Sequence, residues 1–334
     1  MQLSKKMGPS EVATVPAEIP KLNGAEREVS GSVPSRSTSQ PLARSSHVLS
    51  NAAKGHIEIT NLGVVFGTND SLVEAVKNVS MSVEPGEFVS LIGPSGCGKS
   101  TLLNVVAGFF SPTAGSALVD GEPITGPGSQ RGVVFQQYSL FPWLSVRKNV
   151  EFGLKMQGVP GAKRETSART LLALSGLRAF ENHYPDQLSG GMKQRVGIVR
   201  ALATSPQVLL MDEPFGSLDA QTRVVMQEIL TNMWQRFRIS VLFVTHDIDE
   251  AIFLSDRIYV MTARPGCIKA ELAVPLPRPR TAEMTSNAEF LGLVRKIKAL
   301  IREESLASMG SELMDGGLSG FGMEVGPRGM EEIL

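Results

Sequence analysis

The 334-residue chain, 42% hydrophobic and 20% charged, has the composition of a folded protein and enough length for one large core or two modest ones. Thirty-three Lys plus Arg balance thirty-three Asp plus Glu, so no overall basic field argues for gripping nucleic acid. Only Cys97 and Cys267 occur, too few for a disulfide framework and suited to a reducing compartment, and no run approaches the roughly 20 apolar residues that span a bilayer.

Residues 1–54 mix Ser, Pro, Ala and charges with few large apolar groups, and read as a disordered leader. Lys5 and Lys6 are followed by Gly8, Pro9, Ser10 and Glu11 where the apolar core of a signal peptide would lie, so the N-terminus reads as uncleaved. From His56 to Pro275 apolar runs alternate with helical patterns, the mark of an α/β core, without internal repeats. The runs FVSLI (88–92), GVVF (132–135), VLLM (208–211) and VLFV (241–244) read as strands buried on both faces, as parallel strands under helices are. Each ends in a polar or glycine-rich turn. Ligands of open α/β sheets sit beyond the carboxyl ends of the strands, so the chemistry is expected just after these runs.

The first run leads into GPSGCGKST (93–101), which matches G-x-x-x-x-G-K-[ST] between a strand and an apolar helix. Gly93, Pro94, Ser95, Gly96, Cys97 and Gly98 form a loop whose backbone N–H groups can converge on phosphate oxygens. Lys99 adds a full charge, Ser100 a hydroxyl for Mg²⁺, and Thr101 completes the motif. Cys97 is expected to contribute its backbone N–H rather than redox chemistry. Three more segments accompany this loop. LSGGMKQR (188–195) opens a helix with Ser189 at its N-cap, VLLMDE (208–213) is a strand ending in two carboxylates, and VTH (244–246) is a strand ending in an imidazole. Asp212 can hold the hydration shell of Mg²⁺ near Ser100, and Glu213 can orient and polarise an attacking water.

These motifs, in this order over about residues 56–275, resemble the ATP-binding cassette (ABC) ATPases. The resemblance implies a P-loop NTPase fold in a 55–275 cassette. Its parts are a RecA-like, mostly parallel sheet, an N-terminal antiparallel β subdomain and an inserted α-helical subdomain at about 140–190. It implies ATP and Mg²⁺ as cofactors. Gln136 then stands at the family's Q-loop, sensing Mg²⁺ and the attacking water, with His246 as the switch histidine at the γ-phosphate. Phe66 falls where the family stacks an aromatic ring on adenine, a plain core Phe being the rival reading. Ser189 lies about ninety residues beyond Lys99, on a lobe that the family carries away from its own phosphate site. Two chains are therefore implied head to tail, Ser189, Gly190, Gly191 and the D-loop Asp219 of one closing over ATP bound to the other.

Tyr138, Phe141 and Trp143 follow the Q-loop in a segment costly to leave exposed, which either folds onto its own lobe or docks a partner, and which resembles the groove where importers receive a permease helix. GPGSQRG (126–132), FPW (141–143), TARPG (262–266) and VPLPRPR (274–280) resemble the importer ATPases for nitrate, sulfonates, taurine and bicarbonate. The expected function is the energy-coupling ATPase of such an importer. It would be peripheral to the cytoplasmic face of the inner membrane, a homodimer bound to integral permease subunits and served indirectly by a solute-binding protein, with no nucleic-acid partner. A soluble ABC ATPase acting on ribosomes or DNA, or an exporter's nucleotide-binding subunit, are the alternatives. Within 276–304, Phe290, Val294, Ile297 and Ile301 share a helical face that packs on the cassette or, alternatively, touches lipid. Residues 305–334, rich in glycine, read as a flexible tail.

Overall fold

The computed structural model describes residues 54–68 and 71–316, and the fold below is that of these residues. The leader assigned to 1–54 lies outside them except for Lys54, and so do residues 317–334 of the expected tail.

Two long strands, β1 (Ile57–Thr68) and β2 (Ser71–Val83), pair antiparallel and lead into β3 (Phe88–Ile92) and helix α1 (Lys99–Ala107). Next come β4 (Ala114–Val119), β5 (Glu122–Pro123) and β6 (Arg131–Val134). A helical stretch follows: α2 (Val146–Met156), α3 (Gly161–Leu174) and α4 (Gly190–Ala203). The alternating part resumes with β7 (Val208–Asp212), α5 (Ala220–Phe237), β8 (Ser240–Val244), α6 (Ile248–Leu254), β9 (Arg257–Met261) and β10 (Ile268–Ala273). Helix α7 (Ala288–Gly316) ends the described chain.

The strands form two sheets. One is antiparallel, in the order β2-β1-β4-β5; the other runs β10-β9-β3-β8-β7-β6, parallel throughout except for edge strand β10. The four runs read as buried strands are four adjacent members of this second sheet. Their side chains alternate between two cores, as the two-residue strand period requires. Val89, Leu91, Val208, Leu210, Leu242 and Val244 face α1 and the antiparallel sheet, whereas Phe88, Leu209, Met211, Val241 and Phe243 face the remaining helices. One boundary differs from the sequence reading. Strand β6 stops at Val134, and Phe135 is turned out to stack on Phe109 with centroids 6.0 Å apart.

Polar groups tie the layers where apolar packing ends. Arg257 on β9 donates to both Glu87 oxygens, to Glu271 and to the Ser82 carbonyl of β2, which joins the two sheets. These carboxylates, Glu87 first, hold its guanidinium more firmly protonated than usual. Arg280 is buried and donates to the carbonyls of Ile252, Phe253 and Ser255 at 2.9, 3.0 and 2.7 Å. It thus satisfies acceptors that the last turn of α6 leaves unpaired. Burial, aided by Arg278, pushes its pKa down to about 10. Helix α7 buries Phe290, Val294 and Ile297 in the same core as α6, which settles its apolar face against the cassette. It also continues past residue 305, where the glycine-based reading began a tail, because the segment from Arg302 to Met314 is composed mostly of good helix formers.

Phe243, fully buried on β8, meets Phe88 and Phe215 at centroid distances of 5.7 and 5.8 Å. Phe243→Ala is expected to cost about 3 to 5 kcal/mol through lost burial and the cavity left behind. Urea unfolding should show a lower midpoint at unchanged slope.

Candidate functional site

Beyond the carboxyl end of β3 the loop 93–98 turns into α1, whose N-cap Gly98 has φ +97°. A Cβ there would lie 2.6 Å from the Ala75 carbonyl oxygen, so only glycine lets the loop approach β2 this closely. No side chain caps the N-terminus of α1, leaving its first N–H groups available to an anion. Lys99 is buried and its Nζ donates to the carbonyls of Gly93 and Pro94 at 2.9 and 2.8 Å. Burial pushes the Cys97 thiol up, against the pull of Lys99, so the thiol stays protonated. The loop lines a cavity of about 310 Å³ formed by residues 95–101 with Phe66, Val73, Ala75, Glu213 and Arg264. Phe66 is 39% exposed and packs edge-on against Phe110, at the wall of this cavity rather than in either core.

The ends of β6, β7 and β8 meet beside the loop. Ser100 Oγ donates to Asp212 Oδ1 at 2.9 Å. Burial raises the Asp212 pKa, the Ser100 bond opposes this, and Glu213 adds repulsion. Glu213 turns out of the sheet with φ +43°, an uncommon conformation for a side chain with a Cβ, while its N–H still bonds the Val244 carbonyl at 2.9 Å. Its Oε2 lies 3.3 Å from Gln136 Nε2 and 3.2 Å from His246 Nδ1. Thus Gln136, Glu213 and His246, expected to act together, share one carboxylate oxygen. Among the described residues no cluster of three or more His, Cys, Asp or Glu could hold a metal ion. Ser100 and Asp212 instead present two adjacent hard oxygen donors, a set suited to Mg²⁺ shared with phosphate oxygens rather than to an all-protein cage.

Other predicted residues gather elsewhere. Ser189 caps α4, its Oγ accepting from Met192 N at 3.4 Å, and Asp219 caps α5, accepting from Thr222 N at 3.0 Å. That bond holds the Asp219 carboxyl below the usual range. Ser189, Gly190, Gly191 and Asp219 are all absent from the lining of the Lys99 cavity. Tyr138 joins them: its hydroxyl lies 3.0 Å from Ser217 Oγ and would be 2.9 Å from a Cβ at Gly190. Trp143, 72% exposed, instead lines a separate groove with Leu144, Lys148, Glu151, Phe152, Lys155 and Arg164. Phe141 is half-buried beneath it, 4.5 Å from the Phe152 ring and under the Arg200 guanidinium. The three residues expected to dock a partner therefore divide, with Trp143 presented, Phe141 supporting it, and Tyr138 on the side of Gly190 and Ser217.

Sequence reasoning passed over two polar groups that position these segments. Asn149 is fully buried on α2; its Oδ1 accepts from Phe141 N and its Nδ2 donates to the carbonyls of Phe141, Leu144 and Ser145. Its place on the face of Val146, Val150 and Leu154 was the available signal. Arg223 on α5 bonds Asp247 at 3.1 Å and the Leu218 carbonyl at 3.2 Å, and lies 3.6 Å from Glu250. Glu250 in turn accepts from Thr245 Oγ1 at 2.8 Å, next to His246. The D-loop and the histidine turn are thereby joined through one buried carboxyl.

Burial, more than any partner, pushes the pKa of Glu250 up to about 7. Between the ordinary glutamate value and this one the folded chain holds a proton that the unfolded chain has released. The stability so contributed is complete below about pH 4.5 and is lost as pH rises through about 7. Urea unfolding at about pH 5 and about pH 8 should show a loss of roughly 2 to 3 kcal/mol in the parent chain that Glu250→Gln lacks.

Comparison with known proteins agrees with this geometry. The family model described as ABC transporter matches residues 76–216. Over 253 residues, 74% of this chain and 95% of the relative, the chain is 51% identical to the nitrate import ATP-binding protein NrtD of Synechocystis. It is 49% identical to the taurine import ATP-binding protein TauB of Burkholderia pseudomallei over 217 residues, 65% of this chain and 84% of that one. Among solved structures, a dimeric ATP-binding cassette in a post-hydrolysis state bound to ADP and Pi superposes with TM-score 0.60 at 33% identity. That match covers 66% of this chain and all of the other. With the family model matched over residues 76–216 and a relative 51% identical over 95% of its own length, the chain belongs to the ABC transporter family of ATP-binding proteins.

Proposed function

We propose that this chain is the ATP-hydrolysing, energy-coupling subunit of an importer for nitrate, sulfonate, taurine or bicarbonate. The observation that carries the reading is the Glu213 carboxylate, held by Gln136 and His246 beside a phosphate loop. The relatives named for nitrate and taurine import support the solute class. The loop N–H groups and Lys99 bind the phosphate chain of ATP, and Phe66 stacks on its base. Ser100 and Asp212, with Gln136, would hold Mg²⁺, which would supply charge neutralisation to the phosphates. Glu213 accepts a hydrogen bond from the attacking water and polarises it. His246 donates toward the γ-phosphate, and Gln136 fixes the Glu213 carboxylate.

The signature residues Ser189, Gly190 and Gly191, with Asp219, complete the site of a second copy arranged head to tail. The separation of these residues from the Lys99 cavity supports that reading, as does the dimeric cassette among the structural neighbours. ATP joins the two copies and hydrolysis releases them. Among the described residues no helix is long and apolar enough to cross a membrane. On this reading the transport path belongs to integral permease subunits, which this chain meets at the cytoplasmic face of the inner membrane through the Trp143 groove. A solute-binding protein delivers the solute.

Glu213→Gln is expected to lower ATP turnover at least about 100-fold while retaining ATP binding. In light scattering with MgATP this variant should double in mass; a monomer with and without nucleotide would sink the dimer reading. Trp143→Ala should leave the ATPase activity of the isolated chain unchanged and weaken recovery of the permease from solubilised membranes by roughly 30-fold. Isotopic uptake of nitrate, an alkanesulfonate, taurine and bicarbonate, each compared in cells with and without this chain, tests the solute class. Undiminished uptake of all four in cells lacking the chain would overturn it.

A further inference from the structure

The loop between β9 and β10 contributes a residue to the nucleotide cavity that none of the cassette motifs assigns. Arg264 lines this cavity together with Lys99 and Glu213, and these are the three charged side chains in its wall. Its Nε and Nη2 both donate to the Gly96 carbonyl at 3.2 Å, so two donors of the fork are spent on one acceptor of the phosphate loop. The remaining donors, including both on Nη1, have no hydrogen-bond partner among the described residues, and no carboxylate pairs with the guanidinium. The residue is exposed, whereas Lys99 is buried beneath the loop.

The loop that carries Arg264 is pinned on every side. Thr262 and Cys267 close it, Thr262 N donating to Cys267 O and Cys267 N to Thr262 Oγ1, both at 2.9 Å. Gly266 bonds β2 in both directions, its N–H to the Ala75 carbonyl at 3.1 Å and its carbonyl to Lys77 N at 2.9 Å. A Cβ at Gly266 would lie 1.9 Å from the Cys97 carbonyl oxygen, so this backbone lies directly against the phosphate loop. Ala263 N donates to Glu304 Oε2 of α7 at 3.1 Å. An unneutralised guanidinium held this firmly at the rim of a phosphate site is preorganised for an anion, and a planar fork suits phosphate oxygens.

Charge gives the same answer. Lys99 is the other cation in the cavity wall, facing Glu213 there and Asp212 beside it, and Arg264 adds a second positive charge toward a polyanion. Resting on the ATP reading above, we propose that Arg264 is a second phosphate-binding cation of the nucleotide site. Its free N–H groups take the distal phosphates from the rim while its Gly96 bonds hold the loop open.

The test is binding of a fluorescent ATP analogue to the full chain, with ATP, ADP and AMP as competitors, for the parent, Arg264→Gln and Arg264→Lys. Gln keeps a donor for Gly96 and removes the charge; Lys keeps both. Gln is expected to weaken ATP roughly tenfold and AMP by less than about twofold, and to flatten the fall of ATP affinity with salt. Lys, which keeps the charge but loses the fork, should bind ATP more weakly than the parent and more tightly than Gln. Equal losses for ATP and AMP, an unchanged ATP affinity in the Gln variant, or a Lys variant as weak as the Gln variant would each overturn the proposal. A parent chain that binds no nucleotide would instead overturn the ATP reading on which it rests.

Discussion

Three strand ends meet on one oxygen atom of Glu213, and the arrangement of the chain's chemistry depends on that meeting. Gln136 arrives from β6, Glu213 from β7 and His246 from β8, strands far apart in the chain but adjacent and in register in the parallel sheet. Parallel neighbours end on the same side, so their turns share one edge, with β3 and its phosphate loop beside β8. The sheet can hold this edge still because both of its faces are covered by buried apolar side chains. The left-handed backbone of Glu213 is a local cost that this surrounding packing sustains.

Position is also set by polar groups, of which Asn149 and Arg280 are buried and Arg223 and Arg257 half-buried. Arg257 joins the two sheets, Arg280 satisfies the carbonyls at the end of α6, Asn149 shapes the segment under Trp143, and Arg223 connects the D-loop to the histidine turn. Each makes several directional bonds at once. Loss of any one would leave several acceptors unpaired in a water-poor region, and this makes such residues sharper determinants of geometry than the aliphatic groups around them. Arg264 belongs to the same class in one respect, since it braces the phosphate loop, and differs in keeping donors free.

Much of the fold was legible because its signals are local. FVSLI, VLLM and VLFV read as buried strands from a continuous apolar run, and GPSGCGKST reads as a phosphate loop from glycines at fixed spacing. The rest depended on partners distant in sequence. Phe135 looked like the last residue of a strand, yet β6 ends before it and the ring stacks on Phe109. Tyr138, Phe141 and Trp143 form one aromatic cluster in sequence but divide between two surroundings, Tyr138 beside Ser217 and the other two beside Phe152, because the chain turns between them and Asn149 fixes that turn. The glycines after residue 305 suggested a tail, whereas the intervening helix formers carry α7 on to Gly316.

By itself the sequence determined the α/β class, the phosphate loop, and the residue types at each strand end, since spacing and periodicity act over a few residues and need no partner. Only the tertiary structure decided the order of the strands, and hence that Gln136, Glu213 and His246 converge while Ser189 and Asp219 lie apart from the Lys99 cavity. Only it brought Arg264 beside Gly96, across 168 positions of chain. Such contacts arise from the joint packing of whole layers, in which a side chain's neighbours are set by every element between them, and no local pattern encodes that sum.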